Sequence, residues 1–298
     1  MAVIKPKVIA IVGPTASGKS ALGIYIAKKI GGEIISADSR QIYRGLDIGT
    51  GKVTKKEMVG IPHHMLDIAS PKRQFSADDF VKKAERIMGG MIYHPTSTIP
   101  IIVGGTGFYI DALLGRLVLP NVPPDEKLRE TLEKKDVSKL YAMLKKLDLE
   151  RAKSIEPKHK RRIIRAIEIA KAIGKNPLPN TQEKYDVLWL GIAPQQEILK
   201  KNIRARLRAR LKAGMIREAQ KLHKQGLSYK RMEELGLEYR YLARLLQKKI
   251  TREEFEGQLE REIWKYSKRQ MRWFKRNKNI HWIQNRSEAL VLARAFLS

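Results

Sequence analysis

Eight residues, Gly13-Pro14-Thr15-Ala16-Ser17-Gly18-Lys19-Ser20, constrain this chain more than any other stretch. They fit the spacing G-x4-G-K-[ST], in which the terminal glycines let the backbone curl and turn its N–H groups inward. The flanks supply the context that the pattern needs. Val8-Ile9-Ala10-Ile11-Val12 is apolar throughout and rich in β-branched residues, as a strand inside a parallel sheet must be. Ala21, Leu22, Ile24, Tyr25, Ile26 and Ile30 keep an apolar stripe along one face of a following helix. Strand, glycine-rich turn and helix N-terminus together imply a phosphate cradle. Lys19 would set a compact cation on the terminal phosphate, and Ser20 would offer its hydroxyl to Mg2+.

Charge is the second constraint. The 298 residues include 60 Lys and Arg against 31 Asp and Glu, a formal net charge of +29. The first 120 residues hold 16 basic and 9 acidic side chains, and the remainder holds 44 and 22. An excess so concentrated points to a polyanion, nucleic acid being the commonest, with a generic solvated surface as the bland alternative. Cysteine is absent, which excludes disulfides, thiol catalysis and cysteine-ligated zinc. The six histidines form no metal-binding spacing, and the neighbours His63 and His64 read as structural. No apolar run nears the ~20 residues of a spanning helix, and Met1 to Pro6 lacks a signal peptide's apolar core. The expectation is a cytoplasmic protein without a membrane partner.

Gly32 to Gln41 reads as a second short strand delivering polar residues at its carboxyl end, where ligand groups gather in doubly wound α/β sheets. Asp38 therefore lies near the cradle or caps a helix, and spacing leaves both open. Ile42 to Thr54, with Gly45, Gly49, Gly51 and Lys52, reads as a loop. Ser76 opens a helix to about Met88, with Asp79 at its third position. Ile99 to Val103 is a third buried strand leading into Gly104-Gly105-Thr106-Gly107, either a close approach to ligand or a tight turn. That strand ends without the carboxylate that places water and metal in P-loop hydrolases, which counts against a motor or helicase.

Pro120, Pro123 and Pro124 mark a boundary. Helical periods follow over Asp125 to Lys134, Ser138 to Lys146, Leu149 to Ile155 and Lys160 to Ile173. A linker is expected at Pro177, Pro179 and Asn180, and Val187 to Ile192 reads as a strand rejoining the sheet. The expected architecture is thus an α/β parallel sheet flanked by helices, residues 1–116 and 184–298, with an all-helical domain, 117–183, inserted. Lys158-His159-Lys160-Arg161-Arg162 with Arg165 is either a solvated face or a phosphate-backbone contact. Ile203, Leu207, Leu211 and Ile216 form a stripe among Arg204, Arg206, Arg208 and Arg210, of which spacing singles out none. Arg252 to Asn277 reads as a long helix in which Trp264, Tyr266, Trp273 and Phe274 interleave with cations, as nucleic-acid surfaces do, although such rings also build cores.

The stretches GPTASGKS, EIISADSRQIYRGLDIGTGK, IPHHMLDI, PIIVGGTGFYIDALL, RRIIRAIEI, RARL with GMIREA, and YSKRQMRWF span nearly the whole chain. The second and fourth are far more specific than any P-loop. By these stretches the sequence closely resembles the bacterial-type tRNA dimethylallyltransferases, also called tRNA isopentenyltransferases. The resemblance implies a P-loop NTPase-like core. It implies transfer of a dimethylallyl group from dimethylallyl diphosphate to N6 of the adenosine just 3′ of the tRNA anticodon, releasing diphosphate. On it, Gly13 through Ser20 hold the donor's diphosphate instead of a nucleotide, with Mg2+ at Ser20. Asp38 matches the family's general base, and Thr106 matches the residue that hydrogen-bonds the same amine. Arg206 matches the arginine that joins Lys19 on the departing diphosphate. Asp38, Ser39, Arg40 and Gln41 match the segment contacting the target base and its neighbours in the anticodon stem-loop. Arg161, Arg162 and Arg165 match a tRNA-contacting segment, and the family suggests a monomer. The chain departs from the family at Lys158-His159, where Asn-Asp is common, and at Gly236-Leu237, where Gly-Tyr is usual.

Three other readings compete. A nucleoside or nucleotide kinase shares the cradle but has no use for the basic C-terminal part. A prenyltransferase acting on free adenylate leaves the same charge unexplained. A non-catalytic RNA-binding module accounts for the charge and leaves the cradle idle.

Overall fold

The computed structural model describes residues 5–176 and 183–298, so the expected linker at Pro177, Pro179 and Asn180 lies outside the described residues. The chain divides into two compact units, Met1–Leu114 with Glu183–Ser298, and Gly115–Gln182.

The first unit is built on six strands: β1 (Lys7–Val12), β2 (Gly32–Ala37), β3 (His63–His64), β4 (Ile99–Gly104), β5 (Asp186–Gly191) and β6 (Ile280–Trp282). They pair in parallel in the order β3-β2-β4-β1-β5-β6. β1 is central, with Ile9 opposite Ile101 on one side and Leu188 on the other. Both faces are covered, which is why Val8–Val12 of β1 and Ile101–Val103 of β4 are continuous apolar runs without alternation. Val8, Ala10 and Val12 pack with Phe80, Met88 and Ile110 on one face. Ile9 and Ile11 pack with Leu22, Ile26, Ala289 and Ala293 on the other. The α/β parallel sheet expected from the sequence is the fold observed.

The helices of this unit are α1 (Lys19–Ile30), α2 (Lys55–Met58), α3 (Ala77–Tyr93) and α4 (Gly107–Leu113) before residue 115. The second unit holds α5 (Glu126–Glu133), α6 (Val137–Leu147), α7 (Leu149–Ser154) and α8 (Lys160–Ile173), closed around Leu132, Leu140, Leu144, Ile163 and Ile167. The first unit resumes with α9 (Gln196–Lys212), α10 (Met215–Lys224), α11 (Tyr229–Leu235), α12 (Leu237–Leu246), α13 (Arg252–Phe274) and α14 (Arg286–Leu297). α9 to α13 share a core with Ile42, Tyr43 and Leu46 of the loop after β2.

Three expectations need adjusting. β2 ends at Ala37, because from Asp38 the chain breaks into turns. α3 begins as expected, Ser76 and Asp79 forming a reciprocal capping box, but runs to Tyr93. The apolar stripe from Ile203 to Ile216 is split between α9 and α10 at Gly214, whose φ of 102° a helix cannot contain. Among the described residues no helix is long and apolar enough to cross a membrane.

Candidate active site

The loop between β1 and α1 is shaped by conformations open to few residues. Gly13 has φ 150° and Gly18 has φ 91°, and a Cβ on Gly13 would stand 2.6 Å from the Ile192 carbonyl oxygen. Gly18 is the N-cap of α1 and supplies no side-chain cap, so the first N–H groups of that helix remain for an anion. Inside the loop the Ser17 hydroxyl is buried and has no hydrogen-bond partner among the described residues. Lys19 folds back and donates from Nζ to the Pro14 carbonyl at 2.6 Å. Desolvation pulls its pKa down to about 8, opposed by the negative charge of Asp38 and assisted by Arg206.

At the end of β2, Asp38 caps a turn; no helix follows it. Its Oδ1 accepts from the Arg40 N–H at 2.8 Å and the Gln41 N–H at 3.3 Å. The neighbouring Ser39 N–H donates to Thr106 Oγ1 at 3.1 Å, and the Thr106 N–H donates to the Ala37 carbonyl at 3.2 Å. Thr106 is the N-cap of α4 by position, yet its hydroxyl is committed sideways to the β2 turn instead of to its own helix. Tyr266 of α13 lies beside the Thr106 side chain and closes the group. Burial pushes the Tyr266 phenol far above its ordinary range, with the Asp38 charge adding to the rise, so the phenol keeps its proton. Lys19, Ser20, Ser36, Asp38, Gln41 and Gly105 line one cleft at the carboxyl ends of β1, β2 and β4. That is where ligands sit in open parallel sheets.

The glycines of Gly104-Gly105-Thr106-Gly107 have a different cause from either sequence reading. A Cβ on Gly104 would collide with the Ala37 backbone, one on Gly105 with the Gln270 amide, and one on Gly107 with the Trp273 indole. They make room for β2 and α13. The remaining aromatic residues of α13 divide by depth. Phe274 is core, Trp273 donates to Asp111 Oδ2 at 2.7 Å, and Trp264 lies under Lys200 and Lys268.

Arg206 projects from α9 toward the loop after β2, where a Cβ on Gly51 would be 2.9 Å from its Nη2. Desolvation and the adjacent Arg210 lower its pKa, while Asp38 is among the charges that raise it, so the guanidinium shares the field of the cleft. It remains a cation throughout. Glu218 of α10 organises that loop. Its carboxylate accepts from the backbone N–H groups of Asp47 at 3.0 Å, Ile48 at 2.6 Å and Gly49 at 2.9 Å, and from the Tyr239 hydroxyl at 2.6 Å. Arg210 donates from Nη1 to the Gly49 carbonyl at 2.6 Å. Glu218, Tyr266 and Gln270 all fall inside stretches that carry the resemblance, but their residue types announce no role.

In the second unit, Arg161 and Arg162 stand exposed on the first turn of α8. Arg165 is turned inward, bonded to Glu168 and, through Nη2, to the Val122 carbonyl at 2.7 Å. Burial would raise the Glu168 carboxyl, but bonds from Arg129, Arg165 and the Asp125 N–H hold it below its ordinary range. His63 and His64 are edge-strand residues, the latter 2.7 Å from Glu33 Oε2.

Among known proteins, the family model for IPP transferase matches residues 41–277. A tRNA dimethylallyltransferase 2 of Treponema denticola is 40% identical over 285 residues, 92% of this chain and 95% of that protein. A tRNA dimethylallyltransferase of Halalkalibacterium halodurans is 36% identical over 290 residues, 94% of this chain and 91% of that protein. Among solved structures, a tRNA isopentenylpyrophosphate transferase from Bacillus halodurans superposes with TM-score 0.73 at 33% identity, covering 98% of this chain and 96% of the other. A eukaryotic dimethylallyltransferase acting on tRNA superposes with TM-score 0.78 at 28% identity, covering 90% of this chain and 70% of the other. With the sheet, the cradle and near end-to-end similarity in agreement, the chain belongs to the IPP transferase family.

Proposed function

We propose that the protein transfers the dimethylallyl group of dimethylallyl diphosphate to N6 of the adenosine 3′-adjacent to the anticodon in tRNA. The observation that carries this reading is the junction of Asp38 and Thr106, joined through the Ser39 N–H, in reach of the same cleft as Lys19. Electron delocalisation into the ring makes an exocyclic adenine amine a poor nucleophile. A base that takes its proton as the new bond forms lowers the barrier. Both hydrogen bonds of Asp38 fall on Oδ1, which leaves Oδ2 to receive that proton. Thr106 Oγ1, fixed by Ser39, orients the amine. The N6 lone pair forms the bond to the prenyl carbon, the carbon–oxygen bond breaks, and diphosphate leaves with its electron pair. Lys19, Arg206 and the uncommitted N–H groups of the cradle that spans Gly13 through Ser20 meet the developing negative charge.

The donor set fits Mg2+ in one way. No group of three or more His, Cys, Asp or Glu able to hold a metal exists among the described residues, so the protein builds no cage of its own. Ser20, exposed on the first turn of α1, gives one hard oxygen, which suits an ion held chiefly by the donor's phosphate oxygens. When bound, Mg2+ supplies charge neutralisation at the leaving group.

The target base must leave its stack to reach such a cleft; Gln41 lines it, and Ser39 and Arg40, between Gln41 and Asp38 in the same turn, are assigned to the base and its neighbours. Arg161 and Arg162 supply cations for the RNA backbone. The test is incubation with labelled dimethylallyl diphosphate, Mg2+ and either undermodified tRNA, AMP or ATP. Label in tRNA alone supports the reading. Label in AMP, or ATP consumption with a small acceptor, rejects it.

A further inference from the structure

The Gln270 side chain is buried between two loops that belong to different substrates. Its Oε1 accepts from the Thr15 N–H at 2.8 Å, and its Nε2 donates to the Gly105 carbonyl at 2.9 Å. Thr15 lies in the phosphate cradle, and Gly105 immediately precedes Thr106. One amide thus spans the donor loop and the acceptor loop, using each end in the only polarity it has. Neither loop has a second side-chain tie of this kind to the other among the described residues.

The fit around the amide is specific. Gly105 leaves no space for a Cβ against Gln270. Tyr266 and Trp273, four residues before and three after, lie on the same face of α13. Tyr266 lies beside Thr106, and Trp273 fills the space beside Gly107. α13 is therefore applied along the whole acceptor turn, and Gln270 is where it reaches across to the cradle. Thr15 also spends its N–H on Gln270, so that one amide of the loop faces the helix and not the phosphate.

We propose that Gln270 is a positioning residue for prenyl transfer: its carboxamide sets the separation between the diphosphate cradle and the Thr106 turn. The inference rests on the transfer reaction proposed above. The two reacting atoms are delivered by different loops, and an error near 1 Å in their approach costs about 10²-fold in rate. Loss of the bridge should therefore act on the step that needs both substrates, and far less on the binding of either one.

The experiment compares the parent with Gln270→Met, which keeps the length and loses both bonds, and Gln270→Glu. The glutamate retains an acceptor for Thr15 but turns a second oxygen on the Gly105 carbonyl. Melting temperature, affinity for dimethylallyl diphosphate alone, affinity for tRNA alone and single-turnover transfer at saturation are measured for each. For Gln270→Met the expected result is binary affinities within about threefold of the parent and a single-turnover rate lowered roughly 10- to 100-fold. For Gln270→Glu the rate falls similarly, and donor affinity falls more than tRNA affinity, because an anion now borders the cradle. A single-turnover rate within about twofold of the parent in either folded variant overturns the proposal, whatever the melting temperature does. Hydrogen exchange on the unmodified parent provides a readout that needs no variant. The Thr15 amide should exchange slowly in the ligand-free protein, and exchange at the rate of an open loop overturns the bridge. A parent that transfers no prenyl group to tRNA defeats the reaction instead, and slow Thr15 exchange would still stand.

Discussion

Replacing Glu218 with alanine removes the carboxylate that holds the loop after β2. Four donors lose their acceptor: three consecutive backbone N–H groups, from Asp47 to Gly49, and the hydroxyl of Tyr239, a residue only 1% exposed. A hydrogen bond to a charged partner contributes about 1.5–3 kcal/mol, and the loop N–H groups are open enough for water to recover part of it. Allowing about 1 kcal/mol for each gives a loss of roughly 3–4 kcal/mol. For a domain of this size that corresponds to a fall in melting temperature of roughly 6–15 °C. The damage should spread to function, since the Gly49 carbonyl anchors Arg210 and Gly51 lies against Arg206. Scanning calorimetry gives the first quantity, and the KM for dimethylallyl diphosphate gives the second. Glu218→Gln, with one acceptor oxygen left, should fall between parent and alanine variant. A melting temperature within about 2 °C of the parent for Glu218→Ala would refute the reasoning, because it would mean the loop holds its shape without the carboxylate.

Two further outcomes follow from charge. Reversing Arg161 and Arg162 to glutamate should weaken tRNA binding and lower the slope of log affinity against log salt by about 1.5 to 2; an unchanged slope returns that pair to an ordinary solvated surface. Lys19 is held at a pKa of about 8 against an ordinary 10.5, so the folded protein binds its proton less tightly than the unfolded chain does. This penalty on the ligand-free protein is complete below pH 8 and fades between pH 8 and 10.5. Lys19→Met should accordingly melt above the parent at neutral pH without ligands, by a margin that narrows toward pH 10; a margin that stays constant or widens contradicts the assignment.

Much of the core was legible because buried parallel strands are continuous apolar runs, and β1, β4 and β5 stand out for that reason. The phosphate loop is legible because Gly13 and Gly18 sit at fixed spacing in backbone conformations that other residues avoid. Gly214 could have been read as the break between α9 and α10, since glycine at a helix end takes the left-handed conformation that other residues avoid. β6 could not, because three residues, Ile280–Trp282, carry too little pattern to separate a strand from a loop. α11 and α12, of 7 and 10 residues, are equally hard to read, because their apolar faces acquire meaning only against neighbours distant in sequence. The acceptor turn shows the limit most clearly. Its glycines suggest ligand approach or a turn, yet Gly104 answers to the Ala37 backbone, and Gly105 and Gly107 answer to Gln270 and Trp273, more than 160 residues away. Spacing alone leaves Asp38 between two roles; in the fold Oδ1 serves the turn, and Oδ2 accepts no hydrogen bond among the described residues. Arg165 looks identical to Arg161 and Arg162 in sequence, and only the buried Glu168 separates it from them.

The reaction is tested most directly by Asp38→Ala in single-turnover transfer from labelled dimethylallyl diphosphate to tRNA, with donor affinity measured in parallel. Loss of the base should lower the chemical step by roughly 10²–10⁴-fold while donor affinity stays close to the parent's. Unaltered chemistry with weakened donor binding would assign Asp38 to the cradle and contradict its role at the adenine amine.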